Sequence, residues 1–282
     1  VQARTDPSHL KKKLERIVGE RNPFTSPRRL AEVESYIEKE LKSLGLTVES
    51  DPFTYWGRSY RNIIARGRAH PNETMVILGA HFDSVEQTPG ADDNASGVAV
   101  LLEAARLLTG ARLRHQLVFC AFNLEEQNMI GSTHLAKKLK NAGAKISAMI
   151  SLEMVGFTDR RPGSQKYPPG LSWFYPEQGD FIGVVGNWRS YSLLKKFTRL
   201  MRQTAGLRVE SLTVFGNGSL IPAVRLSDHS PFWDAGYPAL LVTDTSFFRN
   251  PHYHRSSDTI QTLDLDFMVK VCEGVVTAVL NL

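Results

Sequence analysis

The sequence predicts an α/β protein: a mixed, mostly parallel twisted sheet sandwiched by helices, forming one domain over residues 1–282. Three observations point there. A strand-like run at 75–80, a helical stretch at 97–108 and a second strand-like run at 116–122 make a βαβ pattern. Several strand-like runs end abruptly in His, Asp or Glu, and strand ends are where open parallel sheets place their chemistry. With 282 residues, 42% of them hydrophobic, the chain can bury one sizeable core.

Residues 1–50 are expected to supply N-terminal helices packed on the sheet. HLKKKLERIVGE is followed by a break at 22–27, then by SPRRLAEVESYIEKELKSLGL, with apolar positions at helical spacing and Gly45 near its end. Residues 47–55 and 58–65 read as strands paired at a sheet edge. MVILGA then forms a buried strand, and VAVLLEAARLL a helix with Ser96 and Asn94 as candidate caps. After QLVFCAF come a helix at 131–141 and the strand AMISLEMVGF. Residues 158–180 are rich in Pro, Gly and aromatics without periodicity, which suits a cleft wall or a surface loop equally. FIGVVG reads as a strand and 190–205 as a helix, followed by a variable stretch to Val224. A short helix leads into the buried strand ALLVT, then the loop SFFRNPHYHRSSDT and a closing helix at 263–280.

Composition excludes several classes. The formal charge of +5, from 34 basic and 29 acidic residues, is spread along the chain, and no aromatic residues interleave with the Lys11–Lys13 cluster, so no nucleic-acid partner is expected. No apolar run approaches the roughly 20 residues that cross a bilayer, so no integral membrane segment is expected. Cys120 and Cys272 both lie in apolar patterns and read as buried, unpaired thiols rather than a disulfide framework.

His81, Asp83, Asp93, Glu125, Glu126, Glu153 and His254 stand at or just beyond strand ends. Together they have the composition of a two-metal hydrolytic site. Such a site needs a bridging carboxylate, terminal imidazole and carboxylate ligands, and a free carboxylate to handle the proton of a bridging water. His and carboxylate donors without thiolate favour zinc, with cobalt or manganese as substitutes.

The segments AHFDS, GADDNASG, NLEEQNMIGS, SLEMVGF and HYHRSSDT, in that order, resemble the motifs of the co-catalytic zinc aminopeptidase family, which includes secreted bacterial leucyl aminopeptidases. The resemblance spans roughly residues 60–260. It implies two zinc ions, with Asp93 bridging, His81 and Glu153 on one ion, and Glu126 and His254 on the other. It further implies Glu125 as general base, Tyr253 as an aid to the oxyanion, Asp83 as a support of the imidazole or the catalytic Glu, and a cis peptide after Asp93. Two departures stand out. Family members commonly carry Asp where this chain has Glu153, and RSSDT replaces a form nearer TPSDT. Asp258 and Thr259 are then expected to cap the final helix.

His229, with Asp228, is expected either to line the cleft or to be a satisfied structural residue, and His252 to be a supporting or exposed one. His70, His115 and His134 read as surface or packing residues. The implied activity is hydrolysis of the N-terminal peptide bond of a peptide or small protein with a free N-terminus. An apolar first residue is expected, held near Trp173, Phe174, Phe247 and Phe248. A single-zinc glutaminyl cyclase-like acyltransferase and a non-enzymatic binding domain are the alternatives. The family is often exported, so a secreted or periplasmic location is expected; oligomeric state is not legible.

Overall fold

A computed structural model describes residues 4–68, 74–111 and 113–282. His70 lies outside the described residues. One eight-stranded sheet organises the chain, in the order β1-β2-β4-β3-β5-β8-β6-β7. Its strands are β1 (Thr47–Tyr55), β2 (Arg58–Arg66), β3 (Thr74–His81), β4 (Gln116–Phe122), β5 (Lys145–Glu153), β6 (Phe181–Asn187), β7 (Arg208–Val214) and β8 (Ala239–Thr243). β3 pairs in parallel with β4 and β5, β5 with β8, and β6 with β7, while β1/β2, β2/β4 and β6/β8 are antiparallel. The sheet is therefore mixed and mostly parallel.

Helices cover both faces. α1 (Pro7–Ile17), α2 (Pro27–Ser43), α3 (Gly97–Leu108), α5 (Tyr191–Met201) and α7 (Leu265–Leu280) bury their apolar stripes with Val76, Leu78, Phe119, Ile150 and Val242. The alternate residues of the same strands, among them Ile77, Val118, Cys120, Met149 and Leu241, face α4 (Ile130–Asn141) and α6 (His229–Ala235). This period of two is what a pleated strand with two buried faces requires. Cys120 and Cys272 are both buried and unpaired. None of the helices is long and apolar enough to cross a membrane among the described residues.

Three sequence expectations change. β7 falls in the stretch read as variable: RVESLTV carries charges and lies at the sheet edge, so it lacks the continuous apolar signal of an inner strand. α5 stops at Met201 rather than continuing to 205. The final helix starts at Leu265 and is capped by Asp264, whose side chain accepts from Phe267 N. Asp258 is committed elsewhere.

Candidate active site

β3, β4 and β5 run in parallel, so their C-terminal ends deliver side chains to one edge of the sheet. His81 ends β3 and Glu153 ends β5; Glu125 and Glu126 follow β4 in the turn that leads to α4. Asp93 comes from the kinked segment Ala91–Ser96 that links β3 to α3, where its own backbone is non-helical, and His254 from the loop after β8. The Asp93–Asn94 peptide is cis.

Asp93 divides its two oxygens between two imidazoles. Oδ1 lies 3.3 Å from His81 Nε2 and Oδ2 lies 3.1 Å from His254 Nε2. Glu153 Oε1 completes the first set at 3.3 Å from His81 Nε2, and Glu126 Oε2 the second at 3.4 Å from His254 Nε2. In each set the three potential ligand atoms lie within 4.8 Å of one another. Glu125 Oε2 sits 3.9 Å from His81 Nε2, at the side of the first set. Tyr253 stacks on His254 with ring centroids 3.8 Å apart.

Neighbouring groups hold these side chains in place. The carboxylate of Asp83 accepts from both Glu125 N and Glu126 N at 3.1 Å, fixing the backbone of the two glutamates; its Oδ1 is 3.5 Å from His81 Nδ1. Ser227 Oγ donates to Glu153 Oε2 at 2.8 Å. Asp258 accepts from Asp92 N and Asp93 N, at 2.9 and 3.1 Å, and Asp92 in turn accepts from Gly156 N and Asn250 Nδ2. Asn94 Nδ2 donates to Leu152 O at 2.8 Å. Leu124, Met154 and His254 all have positive φ without being glycine, a conformation that costs of order 1–3 kcal/mol and clusters at functional sites.

Charge is out of balance in this cluster. Burial pushes Glu125 well above the usual carboxylate range, with His81 opposing and Glu153 and Glu126 adding to it. Burial, then Asp93, pushes Glu126 up to about 7, against a hydrogen bond from His254; Glu153 is raised by burial as well. Asp93 goes the other way: despite burial, hydrogen bonds from His254 and His81 hold it low. An excess of buried carboxylates over imidazoles is relieved either by protons or by cations. Imidazole and carboxylate donors in two adjoining sets, with no thiolate, suit a pair of divalent ions and zinc in particular.

Residues 62–279 match the sequence profile of peptidase family M28. The chain belongs to that family. As an M28 chain it is 37% identical over 257 residues to the uncharacterised protein YfbL of Escherichia coli, covering 87% of this chain and 78% of that one. It is 29% identical to a protein of Arthroderma otae described as a "Probable leucine aminopeptidase", over 73% of this chain and 54% of that protein; the chain thus spans about half the length of this fungal relative. Among solved structures, LapA aminopeptidase of Legionella pneumophila superposes with a TM-score of 0.76 at 17% identity, over 98% of this chain and 72% of LapA. A zinc aminopeptidase of Bacillus subtilis gives 0.62 at 26%, over 80% and 50%. Glutaminyl cyclase of Porphyromonas gingivalis gives 0.69 at 22%, over 97% and 95%, so the M28 fold is common to both chemistries.

Beside the cluster lies a cavity of about 360 Å³, lined by Glu125, Glu153, Tyr253 and His254 at one end. Tyr167, Leu171 and Tyr175 of the 158–180 loop, together with Phe247 and Phe248, line it further along. Trp173 and Phe174, expected near the cleft, are 88% and 78% exposed and are not among its lining residues. His229 is fully buried: its Nε2 donates to Val224 O at 2.8 Å and its ring meets Trp233 edge-on, a structural role, although Nδ1 has no hydrogen-bond partner among the described residues. Asp228 is equally buried, and burial pushes it up to about 7. His252 bonds Ser257 Oγ through Nδ1, and His134 Nε2 lies 3.4 Å from Asp51. Sequence reasoning missed Ser227 and Asn250, which carried no signal; it noticed Asp92 only as the twin of Asp93 and Asn94 only as a candidate cap, whose Oδ1 does accept from Gly97 N.

Proposed function

We propose that this chain is a dinuclear zinc aminopeptidase. The observation that carries the reading is the division of Asp93 between His81 and His254, each set completed by one glutamate, with Glu125 beside them at a cavity wall. The family supports it, as do relatives whose descriptions name leucine aminopeptidase activity and zinc.

His81, Asp93 and Glu153 would hold one ion, and Asp93, Glu126 and His254 the other. When bound, the ions supply Lewis acidity: they polarise the scissile carbonyl and lower the pKa of water. Glu125 accepts the proton of the attacking water and passes it to the amine that leaves. Asp83 fixes the backbone of Glu125 and Glu126, keeping base and ligand at separate stations. Tyr253, on the cavity wall against His254, is placed to stabilise the oxyanion that develops at the carbonyl. The 158–180 loop and Phe247 and Phe248 exclude water around the first residue of the substrate.

A single-zinc cyclase would need only the set of Asp93, Glu126 and His254. The complete second set at His81 and Glu153 favours the two-ion peptidase. Two metal ions per chain and chelator-sensitive release of chromophore from aminoacyl anilides are the expected results. Glu125→Gln should lower kcat by about 10²–10⁴-fold while metal content stays at two. One ion per chain with cyclisation of N-terminal glutamine, or undiminished turnover by Glu125→Gln, would overturn the proposal.

A further inference from the structure

The register of the sheet links the metal-ligand cluster to a carboxylate on the far side of the cavity. Glu153 is paired with Thr243, Thr243 with Gly183, and Gly183 with Glu210. Directly opposed residues project to the same face of a sheet, so the four form one row on the face shared with α4 and α6. All four line the cavity. Gly183 adds no side chain; a Cβ there would lie 3.3 Å from Thr243 O and 3.6 Å from the Thr245 methyl, so the floor stays low at this point.

The walls along this row are apolar: Phe181, Val185, Leu212 and Leu241 on the strands, with Tyr167 and Tyr175 from the loop. Apart from the ligand cluster and Glu125, the charged residues lining the cavity are Glu210 and Lys166, among the described residues. Lys166 is exposed, whereas Glu210 is half-buried. The carboxylate of Glu210 has neither an ion pair nor a hydrogen bond among the described residues, and Arg208 nearby is committed to Asp180 at 2.6 Å. An apolar channel that ends in an unpaired, half-buried carboxylate is complementary to an aliphatic stem with a cationic tip.

We propose that Glu210 is a specificity-determining residue and that the cavity selects substrates whose first residue is lysine or arginine. This rests on the aminopeptidase reading and replaces the apolar first residue expected from the sequence. Three strand spacings of about 4.8 Å separate the Glu153 and Glu210 backbones by roughly 14 Å. Because Glu153 and Glu210 leave the same face of the sheet, the lengths of their side chains do not shorten that separation; a lysine side chain of roughly 6 Å reaches further along the row towards Glu210 than leucine does. Leucine would leave the carboxylate end of the cavity to water.

The test uses the zinc-loaded full chain and lysyl, norleucyl and leucyl p-nitroanilides, because norleucine reproduces the lysine stem without its ammonium group. The expected kcat/KM for lysyl exceeds that for norleucyl by about tenfold or more, and Glu210→Gln collapses that ratio by a similar factor. Calorimetry with lysinamide and norleucinamide should show the same preference without turnover, and the same loss in Glu210→Gln. Equal wild-type values for the two anilides, or a ratio unmoved by Glu210→Gln, would overturn the role of Glu210 and leave the peptidase standing. Absence of chelator-sensitive release from all three anilides would overturn the peptidase reading itself and this inference with it.

Discussion

Gly97 opens α3 directly after the turn that carries Asp93, and replacing it with alanine sets two effects against each other. Helix propensity alone makes the change stabilising by about 1 kcal/mol. Close packing opposes it: a Cβ at this position would collide with Asn94 Oδ1 and lie 2.7 Å from Leu152 O. The Leu152 carbonyl belongs to the backbone of central strand β5 and has little room to yield. Asn94 can retreat only by giving up bonds, since its Oδ1 accepts from Met154 N at 3.0 Å and Gly97 N at 3.2 Å while Nδ2 donates to Leu152 O. Overpacking costs about 1–3 kcal/mol and an unmade buried hydrogen bond about 1–3 kcal/mol more. The balance is a net loss of about 3 kcal/mol for Gly97→Ala. Because Asn94 adjoins Asp93, a shifted amide also displaces the proposed bridging ligand, and zinc affinity should fall by about tenfold or more. Urea unfolding of the chelated protein reads the first effect, and competition with a fluorescent zinc chelator reads the second. A Gly97→Ala chain as stable as the parent would show that propensity governs here and that the close approach of turn to strand has been misjudged.

Two further perturbations test the frame around the site. Arg21 is fully buried and donates to the carbonyls of Ile17, Gly19, Phe82, Pro89 and Gly90, tying the segment after α1 to the chain between His81 and Asp93. Burial lowers its pKa to about 10, against the pull of Asp83, Asp93 and Asp258, so it stays charged at neutral pH. Arg21→Lys keeps the charge but loses the planar fork, and the denaturation midpoint should report a loss of about 3 kcal/mol; a parent-like midpoint would mean that charge alone suffices. His229 is pushed by burial down to about 3 from 6.5, so between those values the unfolded chain takes up a proton that the native one refuses. Stability from this residue is therefore present above pH 6.5 and lost as pH falls, by about 3 kcal/mol at pH 4. Glutamine can keep the bond to Val224 O without titrating, so the stability of the parent relative to His229→Gln should fall by that amount from pH 7 to pH 4. Parallel curves would contradict the assignment.

The inner strands and the ionisable side chains at their ends were legible because both signals are local. MVILGAH and SLE each show an apolar run stopping at an ionisable side chain, and in a parallel sheet such stops fall on one edge. Asp258 shows where locality misleads. A polar residue shortly before a helical pattern reads as its cap, yet its carboxylate reaches across more than 160 positions to the Asp92 and Asp93 amides, while Asp264 caps the helix. Long-range satisfaction of backbone donors leaves no periodic trace in sequence.

Register is the deeper gap. RVESLTV lies at the sheet edge, where one side of the strand is unpaired and side chains meet both solvent and protein, so no continuous apolar run marks it. Without β7, Glu210 is one acidic residue among many. With the strand in place, pairing through Gly183 and Thr243 sets it in the row that starts at Glu153. A slip of β7 by one residue against β6 would turn Glu210 to the opposite face and bring Ser211 into the row. Charge recognition at the far end of the cavity therefore depends on a hydrogen-bond register rather than on a residue type, and an edge strand is where that register is least constrained by sequence.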